Sequence, residues 1–341
     1  LRLAPGDQNL GRLAATDAIA EDVLAGRMDP AAGLAALKAL DRPASRRSQA
    51  LNAFSFGLSA AAVSALLGSA WAGVATAGVI GMLIGVMFVL GAGRPRLSEA
   101  LEALAALVAT LLAAAVATWI TPISLNTVII SSLIVLMPGL MLTNAVSELS
   151  SQQLMSGTAR FAGAMMILMK LTFGTVAAMQ IVGLLGWQPQ EAAAQPLAPL
   201  ETMAALLVAA YAFAVLFQAS ARDYPLVMAA VLLGYGLTRL GGELLGLASD
   251  NFAGGAFFAG MGVAAISNAY GRWRNRPGAL IRVPGIILLV PGSVGFRSLN
   301  FVMERDVWLG LDTAFVLLSA LIALVAGLLF GNLIIPSRRN I

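Results

Sequence analysis

The sequence contains no cysteine and no histidine. Disulfides, thiolate nucleophiles, imidazole general bases and histidine-ligated haem or zinc are excluded together. The redox compartment stays open, because a cysteine-free chain suits either. Charge is scarce as well: 11% of the 341 residues are charged, against roughly 25% in a soluble domain. Hydrophobic residues make up 59%. Such a chain cannot cover its apolar surface in water and needs lipid as its solvent. No GxxxxGK run followed by Ser or Thr occurs, which argues against ATP drive within the chain. Nothing resembles a cleavable signal peptide, since residues 1–50 are polar and mixed in charge. The start at Leu1, in mid-pattern, reads as that of a fragment or a processed chain.

Residues 1–50 are the one soluble-looking stretch. Leu10, Leu13, Ile19, Val23 and Leu24 recur at roughly helical spacing, and Gly26 and Asp29-Pro30 then break the pattern. A second short helix over 31–40 stops before Asp41-Arg42-Pro43. This predicts a cytosolic helical hairpin, either a structural cap or a docking or regulatory piece. Beyond it, apolar stretches near the roughly 20 residues a bilayer-crossing helix needs fall at 51–70, 72–91, 101–119, 125–148 and 161–185. Five more fall at 201–220, 225–245, 252–270, 280–303 and 306–335. The expected fold is all-α, with about ten transmembrane helices.

The formal net charge is +4, but the basic residues sit in loops flanking the spans, so they speak to topology and not to nucleic acid. Arg94, Arg96, Arg222, Arg272, Arg274, Arg276, Arg282, Arg338 and Arg339 share one side if ten spans are counted. The opposite loops at 120–124 and 186–200 carry no Lys or Arg. Both termini are therefore expected in the cytoplasm. Arg297 and Arg305 are exceptions near acidic Glu304 and Asp306, and Arg239 is an exception with Glu243 four residues on.

Five spans on each side of the loop after Gly186 force the two halves into opposite orientations, the arithmetic of an inverted repeat. At an offset of 153 residues, Leu136, Pro138, Gly139 and Gly157 fall on Leu289, Pro291, Gly292 and Gly310, and Gly81 falls on Gly234. The expected organisation is a cytosolic helical segment over 1–50, a five-helix unit over 51–186, an external loop over 187–200 and a second five-helix unit over 201–341.

Pro138-Gly139 lies about 20 Å into the fourth span and Pro291-Gly292 about 16 Å into the ninth, at about 1.5 Å per residue. Both fall near the middle of a hydrocarbon core about 30 Å thick. Proline removes an amide donor and glycine loosens the backbone. Amides and carbonyls freed there must line a cavity or be buried in protein. The half-helix after each break offers a positive end to a carboxylate, and the carbonyls before it suit an ammonium group. An amino-acid zwitterion needs both. A simple proline kink is the competing reading.

Thr143, Asn144, Ser147 and Glu148 follow the first break, with Thr143/Ser147 and Asn144/Glu148 each four apart on one face. They suit a polar lining, or equally an approach to the interface. Lys170 lies about nine residues inside the fifth span, where charge is expensive and usually functional. It can pair with Asp312 of the tenth span, or one of the two can be the proton-coupling group; the alternatives are a snorkelling lysine or a static pair. Glu148 and Arg160 flank the turn between the fourth and fifth spans and are placed to pair across it, and Arg297 follows the second break, where it can help to hold a carboxylate.

With these residues in place, the chain resembles the threonine/serine exporter (ThrE) family. The segment LMPGLMLTNAVSELSSQQLMSGTARF from Leu136 looks like that family's Pro-Gly, Thr-Asn, acidic, Gly and Arg pattern, matched at Pro138, Gly139, Thr143, Asn144, Gly157 and Arg160. Glu148 stands where Asp is usual, and Gln152 stands where glycine is expected. RVPGIILLVPGS from Arg282 is similar to the family's double Pro-Gly segment. The resemblance implies efflux of threonine and serine across the cytoplasmic (inner) membrane, driven by the proton motive force. It also implies a longer N-terminal soluble region than the one here.

The combined expectation is alternating access between two inverted units, with a polar cavity at midplane touching both Pro-Gly segments. No cofactor and no metal site is expected, and oligomerisation is left open. A passive channel would show a continuous water path. A membrane enzyme would need a carboxylate pair such as Glu148 with Asp312. A scaffold subunit would tolerate loss of both prolines.

Overall fold

The computed structural model describes residues 8–40, 45–193, 195, 198–244 and 252–337. Arg338, Arg339 and the end of the seventh predicted span at 245 lie outside them. Among the described residues the chain is all-helical, with one isolated bridge between Ile123 and Glu191. Helices α1 (Leu10–Leu24) and α2 (Pro30–Ala39) form the N-terminal hairpin. They are followed by α3 (Arg46–Leu66), α4 (Trp71–Gly91), α5 (Pro95–Trp119), α6 (Leu125–Ser132), α7 (Gly139–Ser150) and α8 (Leu154–Leu184). The second half holds α9 (Pro199–Leu216), α10 (Tyr224–Leu244), α11 (Phe252–Arg274), α12 (Ala279–Ile286), α13 (Gly292–Met303) and α14 (Val307–Ile334).

Seven of these (α3, α4, α5, α8, α9, α10 and α14) are long and apolar enough to cross a membrane. The pair α6 and α7, bent by 52°, makes an eighth if it is one span. Helix α11 and the pair α12–α13 fall outside that set. Glycines, Asn268 and the terminal Arg272 and Arg274 dilute α11, while Pro291, Arg282 and Arg297 interrupt the other segment. Helix α5 begins at Pro95 and not at 101, because a membrane helix runs on through its charged interfacial turn; Glu99 and Glu102 thereby become helical.

The two halves interlock. One core gathers Ile80, Ala109, Leu133, Leu142, Leu168 and Leu171 of the first half around Phe296 and Leu321 of the second. Phe296 is fully buried there. A large apolar ring at that depth keeps α13 against α8 and α14.

Helix ends match across the halves. Helix α7 closes with the Gln153 amide on the Glu148 carbonyl (2.9 Å) and the Gln152 amide on Leu149 (3.1 Å). Helix α13 closes with Asp306 on Phe301 (2.9 Å) and Arg305 on Val302 (3.2 Å). Both are Schellman ends, which place one residue in the left-handed region: Gln152 at φ 60° and Arg305 at φ 69°. That conformation explains why glycine is the expected residue at 152. A side chain there costs about 1–2 kcal/mol, so Gln152→Gly should raise stability by about 1 kcal/mol. Thermal unfolding of the purified protein checks this; a lower midpoint would show that the glutamine side chain compensates its own backbone.

The hairpin is anchored to the membrane helices. Leu10 and Gly11 donate to the carbonyls of Phe217 (2.9 Å) and Gln218 (3.1 Å), and the Asn9 side chain donates to Gln218 Oε1 at 2.6 Å. Leu10 is fully buried. The N-terminal segment is therefore docked at the end of α9.

Candidate functional site

Both Pro-Gly pairs start a helix. Pro138 caps α7 with φ −81°, ψ 41°, and Pro291 caps α13 with φ −82°, ψ 41°. Lacking an N–H, each proline ends the helical ladder arriving from α6 or α12. In both, the glycine amide folds back onto the carbonyl two residues before it: Gly139 on Met137 (2.8 Å) and Gly292 on Val290 (2.9 Å). This inverse γ-turn leaves the next amides, of Leu140 and Met141 and of Ser293 and Val294, without a partner in their own helix.

The two breaks meet. A Cβ added to Gly139 would stand 3.2 Å from the Gly292 nitrogen, and one added to Gly292 would stand 3.1 Å from the Gly139 nitrogen. Only glycine permits this backbone contact, since the Gly139 Cβ would also lie 2.2 Å from Val290 Cγ1. All four residues are buried. Two helix N-termini, each carrying about half a positive charge, are thus held together in an apolar setting. A central anion would relieve their repulsion.

The expected cavity at this point is not what the structure presents: the breaks are packed against each other. A cavity of about 870 Å³ opens instead beside the arginine-bearing end of α11. Its walls include Asp17 and Glu21 of α1, Gln153, Asn268, Arg276 and Arg282. Helix α7 runs from the first break toward this vestibule, and α12 runs from it toward the second.

The other predicted residues are dispersed. The Thr143 hydroxyl, buried, donates to its own helix at the Gly139 carbonyl (3.2 Å). Asn144 and Ser147 are half-buried on α7. Glu148 and Arg160 form an ion pair at 2.6 Å, and Ser156 donates to Glu148. Arg297 is exposed, five residues and about 140° around the helix from Gly292, so it is not brought to the break. Lys170 pairs with Glu102 at 3.5 Å and donates to the Glu99 carbonyl at 2.8 Å. Its partner is the acidic first turns of α5, not Asp312, because α8 packs along α5. Asp312 is exposed on α14.

Sequence reasoning missed the best-formed ion pair. Arg276 donates to both oxygens of Asp223, at 2.6 and 2.9 Å, and to Tyr270 at 3.3 Å. Asp223 is only 2% exposed. The hydrogen bonds to Asp223 hold the Arg276 pKa above the ordinary arginine value. In the sequence Arg276 was one loop arginine among four, with no signal that Asp223 faces it.

Seven apolar helices of membrane-crossing length, or eight with the bent pair α6–α7, place the chain among multi-pass membrane proteins. Residues 2–182 match the ThrE family model of threonine/serine exporters. Residues 199–334 match a second model, described as threonine/serine exporter, ThrE. The chain belongs to the threonine/serine exporter family, a family of membrane transporters. Neither a curated protein nor a solved structure matches it.

Proposed function

We propose that the protein exports threonine and serine across the cytoplasmic membrane by alternating access of two inverted five-span units, with both termini cytoplasmic. The observation that carries this reading is the direct contact of two like-built helix starts, at Gly139 and Gly292, from segments 153 residues apart. Further support comes from lengths: α4 and α10 have 21 residues each, α6 and α12 have 8, and α7 and α13 have 12. Gly157 packs on Leu149 while Gly310 packs on Val302, the same pairing one offset later. Helix α11 and the α12–α13 pair complete ten spans once the second is counted as broken like α6–α7.

In this reading the packed breaks are a closed barrier and the vestibule is the open cytoplasmic side. Separation of the breaks frees the first-turn amides for the substrate carboxylate and the carbonyls before each proline for its ammonium. The packed centre favours this over a passive channel, which requires a continuous path. Export is coupled to protons, with Asp312 and the Lys170–Glu102 pair as the two candidate coupling sites.

The test is efflux of radiolabelled threonine and serine from preloaded proteoliposomes, with and without an imposed proton gradient. Gradient-dependent efflux is expected, with the dependence lost in Asp312→Ala or Lys170→Ala. Absence of flux for either amino acid under any gradient would overturn the assignment. Efflux indifferent to the gradient would overturn the coupling alone.

A further inference from the structure

Helix α3 carries a polar face that its own packing does not satisfy. Gly57 approaches α4 so closely that an added Cβ would stand 2.7 Å from the Gly78 carbonyl oxygen, and Gly85 of α4 packs on Ala53. Asn52, Ser55, Ser59 and Ala62, three and four residues apart, share the opposite side of α3. That side looks across to the second half, since Ala62 lies in one apolar cluster with Ala209, Ala210 and Phe213 of α9. The same stretch passes the first break: Phe56 shares a core with Met137, and Leu140 packs on the cluster that holds Ala62. Buried hydroxyls in this protein commonly donate to a carbonyl of their own helix, as Ser131, Ser132 and Ser59 do at 2.7, 2.7 and 2.9 Å. Ser55, fully buried, does not: its Oγ has no hydrogen-bond partner, and neither has the buried Asn52 Oδ1 one turn before it. An unpaired polar atom in such a place is costly, and the α9 cluster opposite is apolar.

We propose that Asn52 and Ser55 read the side-chain hydroxyl of the transported amino acid and so make the protein selective for amino acids with a hydroxyl on Cβ. The inference rests on the exporter reading, in which the carboxylate and the ammonium have partners at the breaks and the side chain has none. A hydroxyl both donates and accepts. Asn52 Oδ1 accepts its proton, and the Ser55 O–H donates to its oxygen. The two residues are neighbours on one helix face, close enough to serve the same small group. Opening of the seam between α3 and α9 exposes this face to the substrate. A site that bonds a substrate hydroxyl rejects the analogue without it, because its own polar groups then stay unpaired. Ser59, on the same face, is an internal control, since its hydroxyl is already committed to the Phe56 carbonyl.

The full chain in proteoliposomes is preloaded with radiolabelled threonine or with α-aminobutyrate, which lacks only the hydroxyl, and likewise with serine or alanine. The unaltered protein is expected to export each hydroxy amino acid about tenfold faster than its analogue, the scale of one hydrogen bond left unmade. Ser55→Ala should bring that ratio close to one by slowing threonine while leaving α-aminobutyrate unchanged, and Asn52→Ala should narrow it. Ser55→Thr retains the hydroxyl and should keep the preference, and Ser59→Ala should leave the ratio as it is. Thermal unfolding of Ser55→Ala should show no loss of stability, because no hydrogen bond within the protein is removed. A preference unchanged in both Ser55→Ala and Asn52→Ala overturns the inference. Equal slowing of threonine and α-aminobutyrate in Ser55→Ala overturns it as well, since that marks a structural role. Equal export of both by the unaltered protein overturns it and leaves the exporter reading in place. Export of none of these amino acids is the failure of the exporter reading itself, and the inference falls with it.

Discussion

Replacing Pro138 and Pro291 together by alanine should lower threonine efflux by about hundredfold, the scale of a misplaced binding geometry, while making the protein no less stable. The two signs differ for a physical reason. Alanine restores the missing amide and removes the ring clash, each of which favours a continuous helix. Lipid-embedded backbone gains from an unbroken ladder. The same change consumes the first-turn amides of α7 and α13 and pulls apart the contact between Gly139 and Gly292. Efflux from proteoliposomes and thermal unfolding of the same preparation give the two readings. Unchanged efflux would make both breaks simple kinks and favour a scaffold role.

The second large effect concerns stability. Arg276→Ala leaves Asp223, 2% exposed, with its charge buried and without its bidentate partner. Breaking a buried pair from one side typically costs about 3–5 kcal/mol. The double variant Asp223→Ala with Arg276→Ala should lose clearly less, because no buried carboxylate is left with only the exposed Arg222, at 3.7 Å, beside it. Unfolding followed by tryptophan fluorescence distinguishes the two. Equal losses in single and double variants would mean that the pair contributes through packing and not through charge. The pair joins the turn before α10 to the turn before α12, so its loss should also loosen the vestibule floor.

What could be read from the sequence follows how local each signal is. The helix breaks at Pro138 and Pro291 are visible because proline acts on its own backbone, whereas the spans expected from 101 and 201 start earlier, at Pro95 and Pro199. The departure at Gln152 was visible too, and the structure gives it a cause, a left-handed residue closing α7. Partners across helices were not legible. Lys170 invited pairing with Asp312 because both are charges within apolar spans, yet Glu102 is nearer once α5 packs on α8. Asp223 and Arg276 are 53 positions apart, and no periodicity links them. The vestibule was hidden for the same reason: its walls come from α1, the turn between α7 and α8, α11, α12 and α14. The expected central cavity failed because pattern shows where a helix breaks, not whether two breaks touch.

The anchoring of Asn9 on Gln218 spans 209 positions, and this bears on how the protein is made. At about 5–20 residues per second, the ribosome needs roughly 10–40 s between the two partners. For that interval Leu10, fully buried in the finished protein, has no seat, and one wall of the vestibule does not exist. The half-made chain in the membrane thus holds the helices of its first half but no assembled cavity wall. Completion of this cavity waits on the synthesis of the second half.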